Sequence, residues 1–562
     1  MKKAISIGIQ GFSALREQDC FFVDKTNFIK EWWENRDVVT LITRPRRFGK
    51  TLNMSMLECF FSNKYANRAD LFEGLSIWQE EAYRKLQGSY PVIFLSFAAV
   101  KTGNLEDAKT QIKQEIARLY RENRNLMKED IFGEDERELY YQTTVKMDDV
   151  TAQDSLRNLS EWMERYYGKK VIILLDEYDT PMQEAYVQGY WDEFTAFVRS
   201  LFNASFKTNP YLERAIMTGI TRVSKESIFS DLNNLQVITT TSDLYADCFG
   251  FTESEVFHVL DEFGMGDKKD EVKQWYDGFT FGEHKDIYNP WSITNYLDKR
   301  KTYPYWASTS SNGLVSRLIR TASADVKEKM EDLLNGREIV VSFDEQIVYN
   351  QLDHNENAIW SLLLASGYLK VKHVDYRGIT REPWYTLDIT NIETLSMFTT
   401  MFQDWFQNQD ANYGYFMKAL INGDLEAMNY YMNKVALATF SYFDVGSGNG
   451  SDPEPERFYH GFVLGLIAER AGIYEIRSNR ESGFGRYDIM MIPQEREKYP
   501  AIIIEFKVCS RMKKETLEEA VQSALDQIVD KNYDAELLSQ GIAADRIRHY
   551  GFAFEGKRVL IG

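Results

Sequence analysis

The sequence predicts an α/β chain of several domains: a parallel sheet with crossover helices, then a mostly helical region, then a small α/β block. Three observations carry that prediction. Between about residues 38 and 240, short apolar runs ("VVTLIT", "PVIFLSF", "VIILLDE", "RAIMTG") alternate with segments of helical period, the pattern of strands joined by crossover helices. Between about 250 and 440 the period is mostly helical. After "DVGSGNGSDPEPE", Asp444 to Glu456, a helix, strand, strand, helix block closes the chain, and the Gly, Ser and Pro of that stretch read as a linker. Domains are therefore expected over 1–245, 246–445 and 457–562.

A length of 562 residues exceeds what one core can organise, so about three or four units are expected. A hydrophobic fraction of 44% and a charged fraction of 27% are those of a soluble globular chain. No apolar run reaches the roughly 18 residues of a membrane span, and "MKKAISIGIQGFSALREQD" is interrupted before a secretory core develops. A cytoplasmic location without membrane contact follows as the expectation. Cys20, Cys59, Cys248 and Cys509 are scattered, which argues against a disulfide framework or zinc site and for reduced thiols. The net charge of -19 repels nucleic acid, so any such contact must rest on a local patch.

The first strand, "VVTLIT", runs into "RPRRFGKT", Arg44 to Thr51, and then into "TLNMSMLECFFS". A buried strand, a glycine bend and a helix are what a phosphate loop needs, because backbone N–H groups and the helix N-terminus then face the phosphates. Gly49, Lys50 and Thr51 match the end of the phosphate-loop pattern, while Arg44 stands where its first glycine belongs. That change alters the entry to the turn but not the amides beside Gly49. Lys50 is expected to reach the β- and γ-phosphates and Thr51 to place its hydroxyl on Mg²⁺. Arg44, Arg46 and Arg47 either add positive charge near the phosphates or are simply solvated.

The strand "VIILLDEYD" runs apolar from Val171 to Leu175 and ends in Asp176 and Glu177, where such ATPases hold Mg²⁺ and polarise the attacking water. The alternative is that the two acids merely cap the next helix. "MTGITRVSK" then brings Thr218, Thr221 and Arg222 to the place of a γ-phosphate sensor, or of plain loop chemistry.

"FFVDKTNFIKEWW", "RPRRFGKT", "LLDEYDTPM", "TGITRVSKESIFSDLNNL", "WYDGF" and "YNPWSI" together resemble the AAA-ATPase-like family of bacterial proteins, over most of the first 300 residues. An arginine-rich loop without its first glycine is that family's own form. The resemblance implies a P-loop ATPase domain that binds ATP through Arg47, Phe48, Gly49, Lys50, Thr51 and Arg222. It also implies Mg²⁺ handling by Thr51 and Asp176 and a water-directing role for Glu177.

In the middle region, Thr252 and Glu255 of "TESE" have capping-box spacing. "AIWSLLLASGYLKVKHV" followed by "EPWYTLDIT" reads as a helix and a strand pair, either a winged-helix-like unit or ordinary helix-and-hairpin packing.

The last block carries Asp488 on "GRYDIMMIP" and Glu505 and Lys507 on "AIIIEFKV". Strand side chains alternate, so Glu505 and Lys507 share a face. A buried carboxylate beside a lysine is costly unless something is bound there, an ion pair at a sheet edge being the alternative. Glu469 lies at the spacing of Phe462 and Leu466 and adds a third acid from an apolar helix face. Three acids and a lysine suit a hard divalent cation. The arrangement resembles the PD-(D/E)xK nuclease superfamily, over the last 110 residues or so, and implies a restriction-endonuclease-like α/β domain. It implies Asp488 and Glu505 as metal ligands for Mg²⁺, with Mn²⁺ as a substitute, Lys507 orienting or activating water, Glu469 as an accessory acid and Gln527 as a supporting helix residue. Tyr487 stands where the superfamily pattern has proline.

From Phe458 to Tyr533 there are 11 Lys and Arg against 12 Asp and Glu, so this block is nearly neutral within an acidic chain. Arg477, Arg480, Arg486, Arg511, Lys513 and Lys514 form a local phosphate-binding patch or a solvated surface. Two functions stand side by side: an ATP-regulated, Mg²⁺-dependent nuclease acting on nucleic acid, expected to be DNA, and a signalling or regulatory ATPase whose last domain only grips nucleic acid or a partner. The intact Asp488, Glu505 and Lys507 favour the first. Self-association into a homo-oligomer is left open.

Overall fold

The computed structural model describes residues 3–128, 130–222, 229, 232–307, 313–334, 336–345, 349, 352, 355–404, 413–439, 473–482, 485–509, 515–555 and 558–562. The chain forms two compact units that interleave in sequence. The first holds Met1–Ser310 and Val341–Thr394, the second Ser311–Val340 and Leu395–Gly562.

The first unit is built on five strands, β1 (Val39–Thr43), β2 (Val92–Ser96), β3 (Val171–Asp176), β4 (Leu212–Gly219) and β5 (Leu235–Ile238). They pair in the order β2-β3-β4-β1-β5, all parallel. A parallel sheet covered by helices on both faces needs strands that are apolar throughout, and β1 and β3 are buried at every position. Ile42, Ile172, Leu174, Ile216 and Ile238 pack on one face against Met54, Leu57, Phe60 and Phe61 of the helix Lys50–Phe61. Burying each such side chain contributes roughly 1.5–3 kcal/mol, enough to hold a strand that must also carry a carboxylate at its end. Because β4 lies between β1 and β3, the carboxyl ends of all three emerge at one edge, with Thr43 paired to Gly219 and Leu175 to Met217. In open α/β sheets that edge is where ligands sit.

The remainder of this unit is mostly helical. At the helix Glu253–Glu262 the expected capping box is present, Thr252 and Glu255 each satisfying the other's backbone amide. A small sheet of β6 (Phe251–Thr252), β7 (Phe279–Phe281) and β8 (His284–Tyr288) follows. After the short strand β9 (Ile339–Val341), the helix Ala358–Ala365 leads into a hairpin of β10 (Leu369–Arg377) and β11 (Glu382–Ile389). This is the expected helix and strand pair.

The second unit is a five-stranded mixed sheet of β12 (Tyr474–Ser482), β13 (Gly485–Pro493), β14 (Ala501–Val508), β15 (Ile547–Glu555) and β16 (Arg558–Ile561), in that spatial order. Only β14 and β15 run parallel, joined through the helix Leu517–Asp530. Ile489, Met491, Ile502, Ile504 and Phe506 face Phe416, Leu420, Met428 and Met432 of two helices, Tyr413–Asn422 and Leu425–Thr439. Tyr487, Met490 and Ile503 point the other way, towards Ile528, Tyr533 and Leu537. Period-two alternation from Ile503 sends Glu505 and Lys507 to this second face, while Tyr487 and Met490, three residues apart, share it, so strict alternation is broken beside Asp488. The linker Asp444–Glu456 and Glu469 lie outside the described residues.

Candidate functional sites

The loop between β1 and the helix Lys50–Phe61 turns at Gly49, whose φ of 81° is open to glycine and strained for other residues. No atom lies within 4 Å of a Cβ built there, so backbone conformation and not crowding requires the glycine. Lys50 is buried, its amine donating to the carbonyls of Arg44 and Pro45 at 3.0 Å each. Burial lowers its pKa, opposed by the carboxylates of Glu177, Asp176 and Asp179. The Thr51 hydroxyl donates to Asp176 at 2.8 Å, and the Thr218 hydroxyl donates to the other oxygen of Asp176 at 2.6 Å. The ends of β3 and β4 and the first turn of the helix Lys50–Phe61 thus meet on one carboxylate, as the side-by-side order of the strands allows. Asp176 is buried, and its pKa is raised first by that burial and then by Glu177, against the two hydroxyls and Lys50.

A cleft of about 510 Å³ opens here, lined among others by Arg46, Arg47, Gly49, Lys50, Thr51, Asp176, Glu177 and Trp291. That volume is within the usual ligand-pocket range. The Phe48 ring is buried against Phe279 and Phe281, with centroids at 4.7 and 5.5 Å, so what Phe48 can offer a phosphate is its amide. Arg47 lies over the Trp291 ring, 4.4 Å from its centroid. Arg222 is half-buried and is not among the residues lining the cleft.

Arg44 corrects the reading of the loop. It is neither beside the phosphates nor solvated but fully buried, donating to the carbonyls of Thr43, Thr239 and Leu244 at 3.0, 2.6 and 3.4 Å. Its guanidinium stands 4.4 Å from the centre of the Phe281 ring. Where the phosphate-loop pattern places a glycine, this chain uses a planar cation to tie the end of β1 to the segment after β5. Sequence reasoning also missed Asp179, whose place directly behind the acidic pair disguised it. It accepts from the Ile220 and Thr221 amides at 2.9 and 2.7 Å.

The second site lies on β13, β14 and the helix Leu517–Asp530. Ile489 pairs with Ile504 and Met490 with Ile503, so the same register one residue on sets Asp488 opposite Glu505. The Asp488 amide donates to Glu505 at 3.3 Å, and Asp488 accepts from the Phe506 amide at 2.7 Å. Glu505 is only 2% exposed. Burial, and then the Asp488 carboxylate, push its pKa up to about 8, against the pull of Lys507. Lys507 lies 3.5 Å from Glu505 and donates to Gln527 at 2.6 Å. Gln527 in turn donates to Glu505 and to the Tyr533 hydroxyl at 3.1 Å. Like charges opposed across two strands destabilise a sheet, and a buried carboxylate pair calls for a proton or a cation. With oxygen donors converging, the residues fit a hard divalent ion. The helix residue Gln527 orients both Glu505 and Lys507, and Tyr533 is the neighbour that sequence reasoning did not single out.

The expected basic patch is reduced. Arg477 is committed to Glu475 at 2.9 Å and to Glu536. Arg511, Lys513 and Lys514 lie outside the described residues, as do the side chains of Arg480 and Arg486. Elsewhere Glu253, Asp277 and Asp286 converge, but the Lys273 amine sits among them, paired with Glu253 and 3.8 and 3.9 Å from the other two. That ammonium supplies the positive charge such a cluster needs.

Comparison with known proteins agrees with this arrangement. Residues 6–229 match the family described as Predicted AAA-ATPase, and residues 454–562 match the PD-(D/E)XK nuclease superfamily. A protein of Azotobacter chroococcum mcd 1, described as "Uncharacterized protein in vnfD 5'region", is 27% identical over 398 residues, which is 70% of this chain and 68% of that one. Among the described residues no helix is long and apolar enough to cross a membrane.

Proposed function

We propose that this chain, with an AAA-ATPase-like region followed by a PD-(D/E)XK region, hydrolyses ATP and cleaves nucleic-acid phosphodiester bonds with a divalent cation, its substrate being DNA. The observation that carries the reading is the convergence of Asp488, Glu505, Lys507 and Gln527 on one face of β13 and β14. A grip on nucleic acid alone needs positive charge, not two opposed carboxylates.

At the second site Asp488 and Glu505 would hold Mg²⁺ or Mn²⁺, which when bound supplies charge to the phosphoryl oxygens and acidifies water. Lys507, steadied by Gln527, orients the attacking water from the same face. Glu469 is assigned an accessory acid's role by the superfamily pattern. In the cleft of the first unit, the amides around Gly49 and the Lys50 amine would bind the phosphates. Thr51 and Asp176 would hold Mg²⁺, Glu177 would orient the water, and Arg47, Phe48 and Arg222 would flank the nucleotide. A cytoplasmic setting accords with this chemistry.

The test is supercoiled plasmid and a labelled RNA of matched sequence incubated with the full chain and Mg²⁺ or Mn²⁺, with and without ATP. Metal-dependent nicking of the plasmid supports the reading. Binding of both nucleic acids without cleavage of either, under every condition, refutes it in favour of a regulatory ATPase that grips.

A further inference from the structure

Behind the acidic turn lies a set of buried groups that the chemistry above does not use. Asp179 is 3% exposed, and one of its oxygens accepts from the Ile220 amide at 2.9 Å, the Thr221 amide at 2.7 Å and the Thr221 hydroxyl at 2.8 Å. The Thr221 hydroxyl also lies 3.1 Å from that of Tyr349, a residue 1% exposed whose ring packs against Tyr186 and Trp191. Tyr178 closes the set, its amide donating to the Thr218 carbonyl at 3.0 Å and its hydroxyl to the Thr221 carbonyl at 2.7 Å. The end of β4 and the first residues after it, Thr218 to Thr221, are thereby fastened to the turn leaving β3.

Two backbone facts show what the fastening accomplishes. Glu177 sits at φ 55°, a left-handed conformation that residues with side chains avoid and that persists where the surroundings impose it. At Gly219 the two segments lie close together. A Cβ there would lie 2.7 Å from Asp179 Oδ1 and 2.7 Å from the Tyr178 ring, so only glycine admits the carboxylate. The strained residue is the one that lines the cleft, and the residues that hold its neighbours lie behind it.

We propose that Asp179 is a positioning residue for ATP hydrolysis. It clamps Gly219–Thr221 against the turn so that Glu177 keeps its strained backbone and aims its carboxylate at the attacking water, with Tyr349 as the outer latch of the clamp. The inference rests on the reading of this cleft as an ATPase site. Phosphate binding belongs to the loop after β1, which meets the clamped segment at its first residue, where the Arg44 amide donates to the Gly219 carbonyl at 3.1 Å; Asp179 and Thr221 grip the far side of that segment, so the clamp governs turnover more than affinity. A misplacement of about 1 Å at a reacting group costs on the order of 10²-fold in rate.

The test uses the full chain and reads three quantities: affinity for a fluorescent ATP analogue, kcat for ATP, and the thermal midpoint. Asp179→Ala is expected to lower kcat by about 10- to 100-fold with analogue affinity within about threefold of wild type. Thr221→Val, which removes one hydroxyl, lowers kcat in the same direction, and Thr221→Ser restores it. These two variants decide the matter if Asp179→Ala does not fold. Because the clamp acts through Glu177, Asp179→Ala added to Glu177→Gln costs no further turnover, whereas a merely structural role costs turnover again. If Glu177→Gln turns over like wild type, the ATPase reading of the cleft falls and the inference with it. If Glu177→Gln is slow but Asp179→Ala and Thr221→Val are not, or if their loss appears as weakened binding, the inference alone is overturned.

Discussion

The cost of burying a charge decides where the informative residues lie. Asp176 is buried yet carries two hydroxyl donors, one from the helix Lys50–Phe61 and one from β4, and hydrogen bonds to a charged group are worth roughly 1.5–3 kcal/mol each. The arrangement persists because two neighbouring strand ends and a helix start supply it. Lys50→Ala is expected to weaken ATP binding, while Glu177→Gln is expected to bind ATP as before and lose turnover, as the proposed water-directing role of Glu177 requires. Equal ATP turnover by wild type and both variants contradicts the assignment. At the other site Lys507→Ala should leave metal binding in place and lower cleavage by about 10²- to 10⁴-fold. Lys507→Arg should not rescue it fully, because a planar guanidinium does not reproduce a compact ammonium. Metal binding lost together with cleavage would make Lys507 structural instead. Glu505 and Lys507 are legible in sequence because strand alternation is local. Arg44 is not, because its partners Thr239 and Leu244 lie about 200 residues away, and a sequence window shows a charge without showing what the fold puts around it.

Among the elements, those with strong local signals form as read: the phosphate-loop strand and helix, the Asp176 strand, the capped helix Glu253–Glu262 and the two strands of the last site. What sequence does not reveal is the order of parallel strands, which rests on crossovers long in sequence. It is that order which brings Thr218 to Asp176. The element-scale expectation concerns Glu393, near the start of the helix Ile392–Asp404. It is fully buried and accepts from the Ser292 hydroxyl at 2.8 Å and the Trp306 amide at 2.6 Å. Burial pushes its pKa from 4.5 up to about 7, outweighing those hydrogen bonds. A carboxyl held above its unfolded value contributes fully at or below about pH 4.5, and that contribution is lost as pH rises to about 7. Wild type should therefore lose stability relative to Glu393→Gln across this window, by on the order of 3 kcal/mol. Chemical denaturation of both proteins at several pH values reads the difference. A pH-independent difference contradicts a buried, titrating Glu393.

For the whole molecule, the account is of two sites on one chain, each assembled within its own compact unit. The two proposed activities are therefore expected to be separable by mutation, and Lys50→Ala should retain a metal site of unchanged affinity. Any dependence of cleavage on ATP must then reach the second unit from the first. In the proposed function Asp488 and Glu505 hold the cation on which cleavage depends. Mn²⁺ binding by calorimetry, paired with plasmid nicking across a metal titration for wild type, Asp488→Ala and Glu505→Ala, tests that role. Wild type is expected to bind the ion and nick in proportion to its occupancy, and each variant to lose both. Nicking at the wild-type rate by either variant, or a wild type that binds no divalent ion, contradicts it.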